Sequence, residues 1–339
     1  MSTVFTISIA NMGGIAVTLQ GRFMGLLDRA LRTLAGGGIF IVLLLFACAH
    51  SRGVAGNTLR HDGLERHYIL YQPSFKTTPS NARPLLMVLH GGGGTHRGML
   101  RLTNRRFNEL ADRDGFFVVY PQGIDKSWND GRPDKISDAH RKGIDDVGFL
   151  RALIEDLSVR YSIDSKRIFV TGISNGGLMS YQLGCSLPDT IRAIAPVTAQ
   201  IPAAIAPFCR SESAVSLVIF NGTEDPLVPY KGGQIQVFRR QRGAVLSTDE
   251  TIRIWRQKNR CSPEAVITEF PNIAADGTRV TKIEYSRCDN QAKVALYRID
   301  GGGHTWPDGR QYLPVRTVGR TSRDVNGCDE IWGFFQSLK

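Results

Sequence analysis

Short apolar runs rich in β-branched and aromatic residues recur along the chain, and runs with helical spacing separate several of them. A short apolar run between turn residues predicts a buried strand, whereas apolar residues three and four positions apart predict a helix. Strands that alternate with helices indicate an α/β fold, in which helices cover both faces of a mostly parallel sheet. Strands are predicted at 67–72, 84–90, 115–120, 167–172, 191–197, 216–221 and 293–299. Helices are predicted at about 98–113, 146–161, 247–259 and 328–338, with another beginning near Asn175.

Two segments interrupt this alternation. Residues 122–144 are polar and predict a long surface loop over the edge of the sheet where the strands end. Residues 262–288 contain two alternating segments around Asp276-Gly277, which predict a hairpin. There is no repeat and no shift in composition, so residues 50–339 are expected to form a single domain.

The N-terminal region has the order of a secretory signal. Three arginines precede an apolar run at 39–46, which ends in Ala47-Cys48-Ala49. This run is shorter than the roughly 20 apolar residues that cross a bilayer. Residues 1–49 are therefore predicted to be a signal peptide, and Met24 is an alternative start. Cleavage after the last alanine would release the protein, lipid attachment at Cys48 would make it a lipoprotein, and retention as an anchor is the third alternative.

The formal net charge of the whole chain is +11. Removal of the signal takes away three arginines and one aspartate, so the mature chain stays basic. A basic surface favours acidic partners such as uronate-bearing polysaccharide, anionic lipid or nucleic acid. The basic residues are scattered without a Lys/Arg block, so nucleic-acid binding is not predicted. Membrane attachment is expected only with a lipid on Cys48, and the oligomeric state stays open.

Six cysteines are present, one of them in the predicted signal. Export permits disulfides, and pairing of neighbours along the chain is the simplest choice. That choice would join Cys185 to Cys209 and Cys261 to Cys288, with Cys328 left over, although spacing alone does not determine connectivity. No cysteine has metal-ligand spacing with a histidine, so no metal site is predicted.

The most specific motif is the run from Gly172 to Gly177, which contains G-x-S-x-G around Ser174. It follows a predicted strand and opens a predicted helix. A sharp strand-to-helix turn exposes the serine hydroxyl and crowds the backbone, which explains the flanking glycines. Ser174 is therefore the candidate nucleophile, and the alternative is a passive serine in a glycine-rich turn.

A second glycine run, from Leu89 to Gly94, follows another predicted strand. Glycines allow backbone N–H groups to approach a ligand closely, and in an acyl-transfer enzyme this position forms half of an oxyanion hole. Gly92 is the first candidate donor, with Gly93 as the alternative, and the N–H of Asn175 would supply the other half. No Gly-Lys-Ser/Thr follows the run, which excludes a phosphate-binding P-loop.

The candidate base and acid follow from chain order. His304 is the one histidine after Ser174, and it lies in a glycine-led run just past a predicted strand. Asp225 lies at the end of another strand and precedes a proline, and the neighbouring Glu224 competes with it. Asp225 is expected to orient His304. The order Ser, Asp, His is that of the α/β-hydrolases, and not of chymotrypsin or subtilisin.

Three aromatic residues are candidates for an acyl or sugar pocket: Trp128, Tyr230 and Trp306, of which Trp306 is two residues from His304. The alternative for each of them is a place in the core, which is where large aromatic residues are commonly found.

Several motifs resemble the secreted polyhydroxybutyrate depolymerase and feruloyl esterase family, which is related to carbohydrate esterase family 1. The resemblance covers about residues 56–339 and rests on five segments: Leu89 to Gly94, Asp145 to Leu150, Gly172 to Gly177, Asn221 to Tyr230 and Gly301 to Pro307. It implies an α/β-hydrolase fold and a serine esterase with the triad Ser174, Asp225 and His304. It also implies the disulfides Cys185–Cys209 and Cys261–Cys288.

The expected reaction is two-step acyl transfer, which needs neither a metal nor an organic cofactor. Enzymes that attack solid polyester typically carry a linker and a separate binding domain, and this chain shows neither. Soluble hydroxyalkanoate oligomers, or feruloyl and acetyl esters of cell-wall polysaccharide, are therefore the expected substrates. A non-catalytic binding lipoprotein on the same scaffold and a serine peptidase are the alternative functions.

Overall fold

The computed structural model describes residues 56–74, 82–133, 136–210 and 212–338. The predicted signal peptide at 1–49, including Met24 and Cys48, lies outside these residues. No helix in the described part of the chain has both the length and the apolar character needed to cross a membrane.

Ten strands form one sheet, and two more form a separate hairpin. The sheet strands are β1 (Gly56–His61), β2 (Leu64–Tyr71), β3 (Arg83–Leu89), β4 (Phe117–Pro121), β5 (Ile163–Ile173), β6 (Ala193–Val197), β7 (Ser216–Gly222), β10 (Val266–Glu269), β11 (Arg279–Tyr285) and β12 (Val294–Asp300). The hairpin strands are β8 (Gly233–Val237) and β9 (Arg240–Val245). The order in the sheet is β1-β2-β4-β3-β5-β6-β7-β12-β11-β10. The six strands from β4 to β12 in this order are parallel, so their carboxyl ends meet at one edge.

Eight α-helices are described in these ranges: α1 (His96–Leu102), α2 (Arg106–Asp114), α3 (Asp138–Arg141), α4 (Asp146–Arg160), α5 (Asn175–Ser186), α6 (Thr248–Lys258), α7 (Val315–Val318) and α8 (Gly327–Gln336). Helix α4 shows why the sequence folds this way locally. The Asp145 side chain accepts from the N–H of Gly148 at 2.8 Å, which satisfies one of the donors that a helix leaves unpaired at its start. Leu150, Leu153 and Leu157 then place one apolar face against the sheet.

The core has two layers because the central strands are apolar on both faces. Leu85 and Met87 of β3 point into one layer, together with residues of α4, α5 and α6. Leu86 and Val88 point into the other layer, together with residues of α1, α2 and α8. Strands that are buried on both faces read as continuous apolar runs, which is the pattern that predicted them. The α/β architecture expected from the sequence, a mostly parallel sheet with helices on both faces, is confirmed.

Local details differ from the sequence predictions. The helix predicted at 98–113 is divided into α1 and α2, because Asn104 and Arg105 adopt positive φ angles of 50° and 59°. The hairpin predicted within 262–288 is present as β10 and β11, and β11 also pairs with β12, so the hairpin extends the main sheet. Strand β1 and the β8–β9 hairpin were not predicted.

The predicted surface loop at 122–144 is only partly on the surface. It contains α3, and the side chains of Trp128 and Asp130 within it are completely buried. Hydrogen bonds to the loops that end β3 and β5 hold this segment inside the protein. The prediction of a surface loop is therefore wrong for its central part.

The cysteines pair with their neighbours along the chain. One disulfide joins Cys185 to Cys209, and the second joins Cys261 to Cys288. Cys328 is free and buried in α8, where burial raises the pKa of its thiol. A buried thiol with a raised pKa is a poor nucleophile, so Cys328 is a packing residue.

Candidate active site

Ser174 occupies the sharp turn between β5 and α5, with a φ of 56°. A side chain at Gly172 would place its Cβ 2.6 Å from the backbone of Gly176, and a side chain at Gly176 would lie 2.5 Å from the carbonyl of Leu89. The turn therefore requires glycine at both positions, which accounts for the motif. The Ser174 hydroxyl does not cap α5, so it remains available for chemistry.

His304 and Asp225 lie in the loops after β12 and β7, which are neighbouring parallel strands. Nδ1 of His304 is 2.7 Å from Oδ2 of Asp225, and both side chains are 3% exposed. Oδ1 of Asp225 accepts the backbone N–H groups of Leu227 and Val228 at 2.8 and 2.9 Å. The carboxylate is therefore held in one orientation, with one oxygen on the backbone and the other on the imidazole.

Glu224, the competing acid, lies at the surface. Its side chain is 64% exposed and lies 3.5 Å from the guanidinium of Arg320. A weakly paired surface carboxylate cannot fix the orientation of a buried imidazole. The geometry thus favours Asp225 over Glu224 as the partner of His304.

The loops of Ser174, Asp225 and His304 all leave the same edge of the sheet. The structure joins Asp225 to His304 directly, whereas no hydrogen bond among the described residues links the Ser174 hydroxyl to His304. Hydrogen bonds between a nucleophile and its base are often long until a substrate binds. The arrangement is therefore that expected for a Ser-His-Asp triad before substrate binds.

Two backbone N–H groups beside Ser174 have no acceptor in the described residues. A Cβ at Gly92 would lie 3.7 Å from Cβ of Asn175, so the two backbones are adjacent. The N–H groups of Gly93 and Gly94 already donate to the carbonyls of Lys126 and Gly91, at 2.8 and 2.9 Å. Asn175 begins α5, where backbone N–H groups lack intrahelical acceptors. The pair that can face a ligand is thus Gly92 and Asn175, rather than Gly93 and Asn175.

The aromatic pocket prediction requires a correction. Trp128 and Trp306 are both 0% exposed. The indole N–H of Trp128 donates to the carbonyl of His90 at 2.9 Å, and Trp306 packs edge-to-face on Phe107 at 6.0 Å. Rings enclosed in this way cannot touch a substrate, so the prediction is wrong for both tryptophans.

Tyr230 is half-buried, and burial raises the pKa of its phenol to about 12. It would therefore be neutral in any contact with a substrate. Sequence reasoning missed Tyr312, whose hydroxyl donates to the carbonyl of His304 at 2.9 Å and which is 42% exposed as a residue. Its position eight residues after His304 was the available signal.

His90 is a second buried histidine at this edge. Burial lowers the pKa of His90 to about 4, so the ring is neutral at pH 7. Its Nε2 lies 3.0 Å from the backbone N–H of Gly123, which can only donate. Nε2 must therefore accept, and Nδ1 carries the proton and donates to the carbonyl of Gly91 at 2.8 Å. His90 is a fixed structural group and not a second base.

This burial predicts an acid-sensitive stability. The unfolded chain protonates His90 near its ordinary pKa of 6.5, whereas the folded chain resists protonation down to about pH 4. The unfolded state thus binds more protons in this window, so the free energy of unfolding decreases as pH falls from 6.5 to 4, by about 3 kcal/mol from this residue. Urea denaturation of wild type and His90→Gln between pH 4 and 7.5 would measure this decrease. If the free energy of unfolding depended on pH in the same way in both proteins, the prediction would be contradicted.

The known proteins that this chain resembles, in sequence and in structure, include several that are named as esterases. No protein-family model matches the chain. It is 28% identical over 284 residues to a protein named "Putative esterase NocK" of Nocardia uniformis subsp. tsuyamanensis, covering 80% of this chain and 79% of that protein. It is 31% identical over 208 residues to feruloyl esterase B of Piromyces equi, covering 60% of this chain but only 36% of that longer protein. Among solved structures, the acetyl xylan esterase from Aspergillus awamori matches with a TM-score of 0.54 and 15% identity, covering 84% of this chain and 99% of that one.

The structural likeness supports the α/β-hydrolase fold, and the sequence relatives are named as esterases. The chain therefore has the α/β-hydrolase fold and is similar in sequence to proteins named as esterases. The relatives include feruloyl and acetylxylan esterases, which agrees with the family that the motifs of this chain resemble.

Proposed function

We propose that this chain is an exported serine esterase in which Ser174 is the nucleophile, His304 the general base and Asp225 the residue that orients the base. The observation that carries the proposal is the buried 2.7 Å contact between His304 and Asp225, at the sheet edge where the Ser174 turn also lies. A buried carboxylate is costly unless hydrogen bonds compensate the loss of water. The two backbone donors on Asp225 provide that compensation.

The proposed cycle has two acyl-transfer steps. His304 takes the proton of Ser174 as Oγ attacks the ester carbonyl, and the N–H groups of Gly92 and Asn175 stabilise the oxyanion. The alcohol leaves with the proton from His304, and an acyl-enzyme remains. Water, activated by the same histidine, then attacks the acyl group and releases the acid and the free serine.

The substrate class is proposed from the relatives. Their names specify feruloyl and acetylxylan esters, which are esters of plant cell-wall material. We therefore place feruloyl or acetyl esters of polysaccharide first, and soluble hydroxyalkanoate oligomers second. Relatives named as esterases favour ester over peptide hydrolysis for this chain.

Export is proposed from the two disulfides together with the signal pattern at 1–49. Disulfides persist in oxidising compartments and are rare in the cytosol. The catalytic domain would then begin near residue 50, after cleavage or lipid attachment.

A substrate panel tests this function. Purified protein would be assayed on p-nitrophenyl acetate and butyrate, methyl ferulate, acetylated xylan and hydroxybutyrate oligomers, with acetyl p-nitroanilide as the amide control. We expect hydrolysis of the esters, an initial burst of p-nitrophenol equal to the enzyme concentration where deacylation is slow, and no cleavage of the anilide. Failure on every ester, or a preference for the anilide, would refute the proposal.

A further inference from the structure

One segment, residues 123–130, contacts both loops that carry the proposed oxyanion donors; we call it the brace. On the side of the nucleophile, the backbone N–H of Trp128 donates to Oδ1 of Asn175 at 2.8 Å, and Nδ2 of Asn175 donates to the carbonyl of Trp128 at 3.0 Å. The side chain of Asn175 thus pairs with the Trp128 backbone as another strand would. The brace is therefore tied to the residue that follows Ser174.

On the side of the glycine loop, the brace makes three further hydrogen bonds. The N–H of Gly93 donates to the carbonyl of Lys126 at 2.8 Å, and the indole N–H of Trp128 donates to the carbonyl of His90 at 2.9 Å. The N–H of Gly123 donates to Nε2 of His90 at 3.0 Å. Gly92, the other proposed donor, lies between His90 and Gly93, so both of its flanks are fixed by the brace.

A buried charge strengthens the nucleophile side. Asp130 is completely buried, and its Oδ2 accepts from Nδ2 of Asn175 at 2.6 Å. Burial alone would raise the pKa of Asp130, but the adjacent Arg132 and the hydrogen bond from His140 outweigh burial and hold the pKa below its usual range. The carboxylate is thus charged at pH 7, and charge-assisted hydrogen bonds are stronger than neutral ones.

We propose that the brace sets the separation of the Gly92 and Asn175 N–H groups, and that Trp128, Asp130 and the side chain of Asn175 are positioning residues for the oxyanion site. This inference rests on the proposed function. Donors stabilise a transition state only when they are held in place before charge develops. An error of about 1 Å in such a constellation lowers the rate by roughly 100-fold, and the two donors come from loops that only long-range contacts can hold together.

The chain contains a matched control for Trp128. Trp255 is also 0% exposed, and its indole N–H also donates to a backbone carbonyl, that of Val215 at 2.7 Å. Val215 immediately precedes β7, at the edge of the sheet opposite the candidate site. Trp128→Phe and Trp255→Phe therefore remove the same kind of hydrogen bond, one in the brace and one far from it.

The test compares kcat per active site on p-nitrophenyl acetate, with active sites counted by fluorophosphonate titration. Both variants are expected to lower the melting temperature. Trp128→Phe should also lower kcat by about 10- to 100-fold with little change in KM, whereas Trp255→Phe should retain the wild-type kcat. An aryl boronic acid, which adds to a serine as a tetrahedral anion, should bind Trp128→Phe more weakly by a similar factor.

A second variant tests the proposal even if Trp128→Phe does not fold. Asn175→Ala removes the side-chain contacts to the brace but keeps the backbone N–H, and it should show the same loss of kcat. Unchanged kcat per active site in Trp128→Phe or in Asn175→Ala would overturn the brace, as would an equal loss in Trp255→Phe. A wild-type protein inert to both esters and fluorophosphonate would instead refute the proposed function, and the brace proposal with it.

Discussion

Ser174→Ala is expected to lower kcat on an ester substrate by about 10⁴- to 10⁶-fold while the protein folds normally. The fold should survive because the hydroxyl does not cap α5 and because the backbone N–H of Ser174, which donates to Val197 at 2.9 Å, is retained. Alanine also has the same Cβ at this positive φ. The remaining activity would come from the backbone donors of Gly92 and Asn175.

Steady-state kinetics, the melting temperature and fluorophosphonate labelling would check this result. Ser180→Ala is the matched control, because Ser180 is a buried serine on the same helix whose hydroxyl donates to the carbonyl of Gly176 at 2.8 Å. It should retain activity and labelling. Normal turnover or labelling in Ser174→Ala would show that another residue is the nucleophile.

Asp225→Asn is expected to lower kcat by about 10⁴-fold, and the structure supplies the reason. The N–H groups of Leu227 and Val228 require an acceptor, so the amide oxygen of the new asparagine must face them. Its NH₂ group must then face Nδ1 of His304, which would have to accept. The proton of the imidazole moves to the other nitrogen, and the ring can no longer take a proton from Ser174.

The turn should persist in this variant because both backbone donors keep their acceptor. The melting temperature should therefore change little while kcat falls. Glu224→Gln is the matched control: this neighbouring acid is exposed, and its replacement should leave kcat unchanged. Wild-type activity in Asp225→Asn, or a large loss in Glu224→Gln, would contradict the assignment of the acid.

Features that depend on local spacing were predictable. The apolar runs predicted the central strands because a strand buried on both faces admits few polar residues. Helix α4 matched its prediction closely, since its capping aspartate and its apolar spacing are both local. The alternation of Gln and apolar residues at 234–237 is a local pattern that also favours a strand, β8 of the β8–β9 hairpin.

Features that depend on long-range packing were not predictable. Trp306 is two residues from His304 and Trp128 lies in a loop over the same sheet edge, but neither position says whether a ring points into a pocket or into the core. The break between α1 and α2 depends on two residues, Asn104 and Arg105, with positive φ. Apolar spacing across that break remains helical, so the pattern alone could not locate it.

The sequence by itself determined the order of the central strands and the steric need for glycine around Ser174, because these follow from the backbone within a few residues. The tertiary structure decided which glycine N–H stays free, which of two adjacent acids meets His304, and that a polar loop joins the two halves of the site. Those outcomes depend on contacts between segments dozens of residues apart, for which local composition carries no signal.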